Sequence, residues 1–270
     1  MTRHSDGGTV HGVQSRAMIG LSAQVTLLAV LTWSVGLSGL GWAVGIGCGI
    51  VTNAELTRAL AHYGVQTLGP ADRVTLARAT LAGGVAALTA DSFWRPTLVT
   101  TLVALTVVAL ILDGVDGCVA RRTGTVSAFG ARFDMEVDAF LIMVLSVYVA
   151  QSAGPWVLAI GAARYLFVAA GWLLPWLRAS VPPRYWGKVV AAMQGVVLTF
   201  AATRALPTYL ATGALIVSLA LLAESFGRQV CWLWRSRPAS SDWTRAVPAL
   251  AQRQPRVRQF GALTAGLRSG

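Results

Sequence analysis

This sequence predicts an all-α membrane protein: a six-span helix bundle preceded by an N-terminal hydrophobic hairpin. Three observations lead there. Of the 270 residues, 55% are hydrophobic and only 12% charged, with a mean hydropathy of +0.60; a soluble domain is nearer a quarter charged. The apolar residues gather into several runs of about 17–25, the length a helix needs to cross hydrocarbon. When those runs are threaded up and down, every dense cluster of Lys and Arg falls on one side, as the positive-inside rule requires.

Residues 1–16 are polar, carry Arg3 and Arg16, and read as a cytoplasmic tail. The apolar run from Ala17 to Val51 is too long for one ordinary span, and too long for a cleavable leader. Its centre, Ser34-Val-Gly-Leu-Ser-Gly-Leu-Gly41, can fold it into a hairpin of two short helices. A hairpin returns the chain to the side where Arg58, Arg73 and Arg78 fall, and residues 17–70 are read as hairpin plus linker. Within the linker, Glu55 to Tyr63 has the mixed polarity of a short interfacial helix.

Gly69-Pro70 breaks the chain, and Asp72 can cap a helix running from about Arg73 to Ala90. Asp91 to Pro96 forms a turn on the far side. Further spans follow at about 97–121, 126–150, 156–177, 189–205 and 209–226, so that the membrane domain occupies residues 71–227. Trp94, Trp156, Trp176, Trp186, Trp232 and Trp234 stand at span ends, where indoles anchor to the interface.

Residues 228–270 carry eight arginines against the single acid Asp242 and read as a disordered cytoplasmic tail on anionic headgroups. No nucleic-acid partner is expected, because no basic–aromatic module accompanies the charge. Cys48, Cys118 and Cys231 lie far apart without metal-binding spacing and read as small apolar residues.

The chemistry concentrates between Asp113 and Asp138, DGVDGCVARRTGTVSAFGARFDMEVD. Carboxylates at the rim of a hydrocarbon layer are costly unless they pair, bind cations or react. Asp113 and Asp116 are three apart and Asp134 and Asp138 four apart, so each pair shares a helix face. From Asp113 to the turn near Arg121 is about 12 Å, and from Gly124 to Asp134 about 15 Å. Two antiparallel helices therefore set all four acids at similar depth, where they repel unless divalent cations neutralise them. Mg²⁺ or Mn²⁺ on oxygen ligands points to a diphosphate-bearing substrate. Gly114, Gly117 and Ala120 give a thin stripe for a flat ligand, Gly130 sits one turn before Asp134, and Arg121 and Arg122 offer charge to phosphate oxygens. Glu136 points to another face and is left out of this set.

The string Asp113-x₂-Asp116-Gly117-x₂-Ala120-Arg121-x₈-Gly130-x₃-Asp134-x₃-Asp138 resembles the signature of the CDP-alcohol phosphatidyltransferase family at every fixed position. Thr75-Leu-Ala-Arg78 is similar to a stretch in that family's first span, with Asp72 in place of its usual Asn. Gly187-Lys188 and Gln194 match part of another stretch whose second Lys and Thr are here Val190 and Ala191. The resemblance implies transfer of a phosphatidyl group from CDP-diacylglycerol to an alcohol, with release of CMP, by a multi-pass protein of the plasma membrane. It implies two ions held by Asp113, Asp116, Asp134 and Asp138, with Asp138 also the general base. Thr75, Gly117, Ala120, Arg121 and Gly130 would bind the CDP moiety at the cytoplasmic face, and a homodimer is implied. Arg164, alone in an apolar span, and Lys188 are the candidates for an acceptor phosphate. They suggest a phosphorylated polyol such as glycerol 3-phosphate or inositol phosphate, as in phosphatidylglycerophosphate and phosphatidylinositol phosphate synthases.

Alternatives are an unphosphorylated or lipid acceptor within the same family, or an intramembrane prenyltransferase of the UbiA type. In prenyltransferases the two acidic motifs lie on spans well separated in sequence. A cation transporter would spread its acids through the bilayer depth and leaves Arg121 unexplained.

Overall fold

The computed structural model describes residues 7–63, 70–123, 128–174 and 185–235; side chains are described for 20–58, 73–115, 130–174, 186–187 and 189–235. Among these residues the regular structure is entirely helical. The helices are α1 (Gly7–Val35), α2 (Gly39–Tyr63), α3 (Pro70–Asp91), α4 (Val99–Thr123) and α5 (Ala128–Ala153). A 3₁₀ turn (Pro155–Val157) leads into α6 (Leu158–Leu173), followed by α7 (Tyr185–Thr203) and α8 (Thr208–Arg235).

Several bounds differ from the sequence reading. α1 begins at Gly7, inside the segment read as a tail, and α8 runs on to Arg235. Glu55 to Tyr63 is not a separate interfacial helix but the end of α2, since nothing in Thr52-Asn-Ala-Glu-Leu interrupts helical hydrogen bonding.

The break between α1 and α2 is short and well specified. Gly36 ends α1 with φ +72°, a left-handed conformation that glycine adopts without penalty, and its N–H bonds Thr32 O. Ser38 then caps α2, its Oγ accepting the Gly41 N–H at 3.3 Å. Down the hairpin, Gly45 lies against Leu28, Gly49 against Gln24, and Gly20 against Asn53. These contacts fix an antiparallel register in which small residues let the two backbones approach closely.

α3 is the hub. α1, α2, α4 and α5 all pack on it, and every residue from Ala82 to Thr89 is buried. A helix enclosed on all sides must be apolar all round, which Leu81-Ala-Gly-Gly-Val-Ala-Ala-Leu88 is. The hairpin is fastened to it at both levels: Gly83 and Gly84 receive Gln24 and Leu27 of α1, and Asp91 reaches the hairpin turn. The Asp91 carboxylate accepts the Ser38 N–H at 2.8 Å, the Gly41 N–H at 3.2 Å and the Ser38 hydroxyl. At the same end Gln151 donates to Ser92 at 2.8 Å. The hairpin turn, the α3–α4 turn and the end of α5 therefore form one pole of the bundle, and the acids lie towards the other.

α7 packs on α4, α5 and α8. Gln194, which the sequence had placed in a family-like stretch, is buried and donates to Ser218 O at 2.9 Å, so its observed work is to join α7 to α8. Outside, the bundle is apolar: Val107 and Ile111 of α4, Phe200 of α7, and Ile216 and Val217 of α8 are all exposed. Large apolar side chains turned outward on several helices are what a lipid-embedded protein presents. By length and composition Pro155–Leu173 and Thr208–Arg235 are each sufficient to cross a bilayer, and Gly20–Val35, Val99–Val115 and Val189–Thr203 are shorter apolar segments.

Candidate active site

α4 and α5 run antiparallel into the acid-bearing pole, as the spacing of their carboxylates requires. One carboxylate oxygen from each of Asp113, Asp134 and Asp138 lies within 4.8 Å of the others, and each side chain is about one-third exposed. The two α5 acids share a face because four residues make just over one turn. Asp113 meets them across the α4–α5 interface. Gly114 beside it is exposed, and a Cβ there would touch nothing within 4 Å, so this part of the small-residue stripe faces open space. Asp116, Gly117, Ala120, Arg121 and Lys188 have side chains outside the described residues.

The structure adds a residue to which the sequence reading had given no role in the site. Arg78 of α3 is 1% exposed, and its guanidinium pairs with all three acids: with Asp113 at 2.9 Å through Nη1, with Asp134 through Nη1 and with Asp138 through Nη2. Its planar fork addresses the three carboxylates from two separate nitrogens in fixed directions, where an ammonium would offer a single point charge. Two like charges 4.8 Å apart repel by about 3.5 kcal/mol at an effective dielectric of about 20, so three acids within that distance need more than one positive charge. Arg78 supplies one. The remaining negative charge, on an all-oxygen donor set, suits Mg²⁺ or Mn²⁺, and the triad can bind a divalent ion. The signal for Arg78 was present in the Thr75-Leu-Ala-Arg78 match, but its partners lie 35 or more residues away. Thr75, one turn earlier on α3, is buried, and Gly130 is half-buried at the start of α5.

Arg164 stands elsewhere. Its Nη2 donates to Glu136 Oε1 at 2.6 Å. At 100° per residue, Glu136 projects about 160° away from both Asp134 and Asp138. Arg164 therefore sits across α5 from the acids, held by the one carboxylate that the spacing had excluded from the metal set. α6 is drawn tightly onto α5 beside this pair, with Gly161 so close that a Cβ would lie 2.6 Å from the Met143 Cα.

Among known protein families, residues 68–223 match CDP-alcohol phosphatidyltransferase. No curated protein and no solved structure matches the chain. The family match covers more than half of the 270 residues, from just before α3 into α8. It includes Arg78 and the three clustered acids and leaves α1 and α2 outside. With the apolar exterior of the bundle, this makes the protein a membrane enzyme; the chain belongs to the CDP-alcohol phosphatidyltransferase family and transfers a phosphatidyl group from a CDP-alcohol to an acceptor.

Proposed function

We propose that the donor is CDP-diacylglycerol, that the acceptor is a small alcohol and that CMP is released, as a step of phospholipid biosynthesis. The observation that carries this reading is the convergence of Asp113, Asp134 and Asp138 around Arg78 at one pole of the bundle. In the reaction the acceptor oxygen attacks the phosphatidyl phosphorus and the bond from that phosphorus to the CMP oxygen breaks. CMP leaves with the electron pair, and the acceptor proton passes to Asp138 as general base. Asp113, Asp116, Asp134 and Asp138 would hold two Mg²⁺ or Mn²⁺ ions, which when bound stabilise the charge developing on the leaving group. Thr75, Gly117, Ala120, Arg121 and Gly130 would cradle the CDP. Arg78 holds the acids in one geometry and offsets part of their repulsion.

Of the two acceptor candidates we carry Lys188 forward, because Arg164 is occupied by Glu136 on the far side of α5. A phosphorylated polyol such as glycerol 3-phosphate or inositol phosphate remains the acceptor we favour. The Arg164–Glu136 pair supports a second reading, an unphosphorylated alcohol, since it removes one of the two cations expected for an acceptor phosphate.

The same proposal makes the protein multi-pass in the plasma membrane. Residues 71–227 form the six-span domain and 17–70 the added hairpin, with 7–16 and 228–235 extending the first and last helices. The acid-bearing pole faces the cytoplasm, where Arg58, Arg73 and the basic tail lie, and two copies associate.

Purified protein given CDP-diacylglycerol, Mg²⁺ or Mn²⁺ and a panel of phosphorylated and plain alcohols should release CMP with at least one of them. Asp138→Asn should lower that rate by about 10²–10⁴-fold with the fold intact. Silence across the whole panel, or full rate in Asp138→Asn, overturns the mechanism.

A further inference from the structure

A sizeable apolar opening lies near the acids but not at them. α2 and α5 flank α3 and leave between them a groove of about 780 Å³. Its walls are Val44, Gly47 and Val51 of α2 and Phe133, Val137 and Phe140 of α5, with Ala79 of α3 at its floor. On α5 the groove residues centre about 150° from the face of Asp134 and Asp138. The groove and the acid cluster are therefore separated by the body of α5, and one wall of the groove belongs to the hairpin outside the family match.

The groove is polar at one end only. From Val44 to Val51 along α2 is about 10 Å of apolar wall, and from Thr52 to Arg58 about 9 Å more carries the charged mouth. An apolar slot shorter than one leaflet's hydrocarbon, about 15 Å, opening into charge, matches the depth profile of a phospholipid. Arg58 pairs with Glu55 at 2.9 Å and Arg164 pairs with Glu136 at 2.6 Å. Arg132, also at the mouth, has no ion pair among the described residues, while the mouth's Arg58 is paired with Glu55 and its Glu136 with Arg164, so the Arg132 charge is open to an anionic group. Arg132 is two residues from Asp134, about 3 Å along the axis, so the charged mouth lies at the depth of the catalytic acids. The groove is open as well as apolar: a Cβ on Gly47 would meet nothing within 4 Å.

From this we infer an accessory lipid site: the groove between α2 and α5 holds an acyl chain of an anionic phospholipid whose phosphate faces Arg132, separate from the lipid that reacts. The hairpin wall makes the site a property of this chain and not of the six-span domain alone.

Native mass spectrometry of the full-length protein in non-ionic detergent, after incubation with phosphatidylglycerol or phosphatidylcholine of the same acyl chains, tests it. Wild type should retain one phosphatidylglycerol at least fivefold over phosphatidylcholine. Gly47→Phe, which fills the groove from its own wall, should reduce retention of both about tenfold without lowering the unfolding temperature. Val51→Trp provides a second way to fill it should Gly47→Phe prove unstable. Arg132→Gln should retain lipid but lose the headgroup preference. Asp113→Asn should retain phosphatidylglycerol as wild type does, so that failure of the catalytic reading leaves this one standing. Unchanged retention in both filling variants, equal retention of the two lipids by wild type, loss of lipid in Asp113→Asn, or a second protein copy displaced by Gly47→Phe would each overturn the site.

Discussion

Arg78 is the most informative residue to perturb, because its guanidinium pairs with acids on both α4 and α5. Arg78→Gln keeps some hydrogen-bonding capacity and removes the charge. Removing one partner from a buried ion pair costs about 3–5 kcal/mol. Here the residue is fully buried, while its acids are one-third exposed, so water relieves part of the repulsion and the lower half of that range is expected. At about 2–4 °C per kcal/mol, unfolding in detergent with a chelator present should shift down by about 6–16 °C. Divalent ions should restore much of the loss: Mg²⁺ at a hundredfold over its dissociation constant stabilises by about 2.7 kcal/mol. The assay is a thermal melt with and without Mg²⁺, where the variant should gain more from the ion than wild type does. Arg78→Lys should fall between them, since an ammonium keeps the charge but not the fork. Equal melting of Arg78→Gln and wild type in chelator, with equal response to Mg²⁺, would refute the account of how the acids are held.

Chelation of divalent ions should abolish CMP release in wild type, with activity returning on addition of Mg²⁺ or Mn²⁺ but not Na⁺. Asp91→Ala removes the acceptor for three hydrogen bonds at the start of α2 and should cost about 2–3 kcal/mol; chemical unfolding checks the size, and proteolysis should report the hairpin turn opening first. Gly161→Ala drives a methyl into the backbone of α5 and should destabilise by about 1–3 kcal/mol while weakening the Arg164–Glu136 pair. Gly213→Ala in α8, with open space around it, should instead stabilise by up to about 1 kcal/mol, and the two melts together test the helix packing.

The local half of the site was readable from periodicity. Asp134 and Asp138 share a face because helical spacing leaves no alternative, and Asp113 meets them because so few residues separate α4 from α5 that the two must run antiparallel side by side. The hairpin was readable too, from a run too long for one span with Gly36, Ser38 and Gly41 at its centre. Glu136 was set apart from the acids by the same arithmetic, and it lies across α5 in the structure.

What a sequence cannot contain is which distant face packs on which. Asp91 looked like a turn residue and is the acceptor that locks the hairpin onto α3. Gln194 looked like part of a ligand stretch and binds Ser218. Arg164 looked suited to a substrate phosphate, because a lone intramembrane arginine must find a partner, and no local rule names that partner.

The sequence by itself determined a helical membrane chain and that Asp113, Asp134 and Asp138 would come to one level on facing helices, because helix pitch, span length and charge cost act locally. Only the tertiary structure decided that α3 would bring Arg78 into the acids, that Glu136 would take Arg164, and that α2 would leave a groove beside α5. Each depends on how helices far apart in sequence fit their small and large side chains together, and that fit exists only after packing.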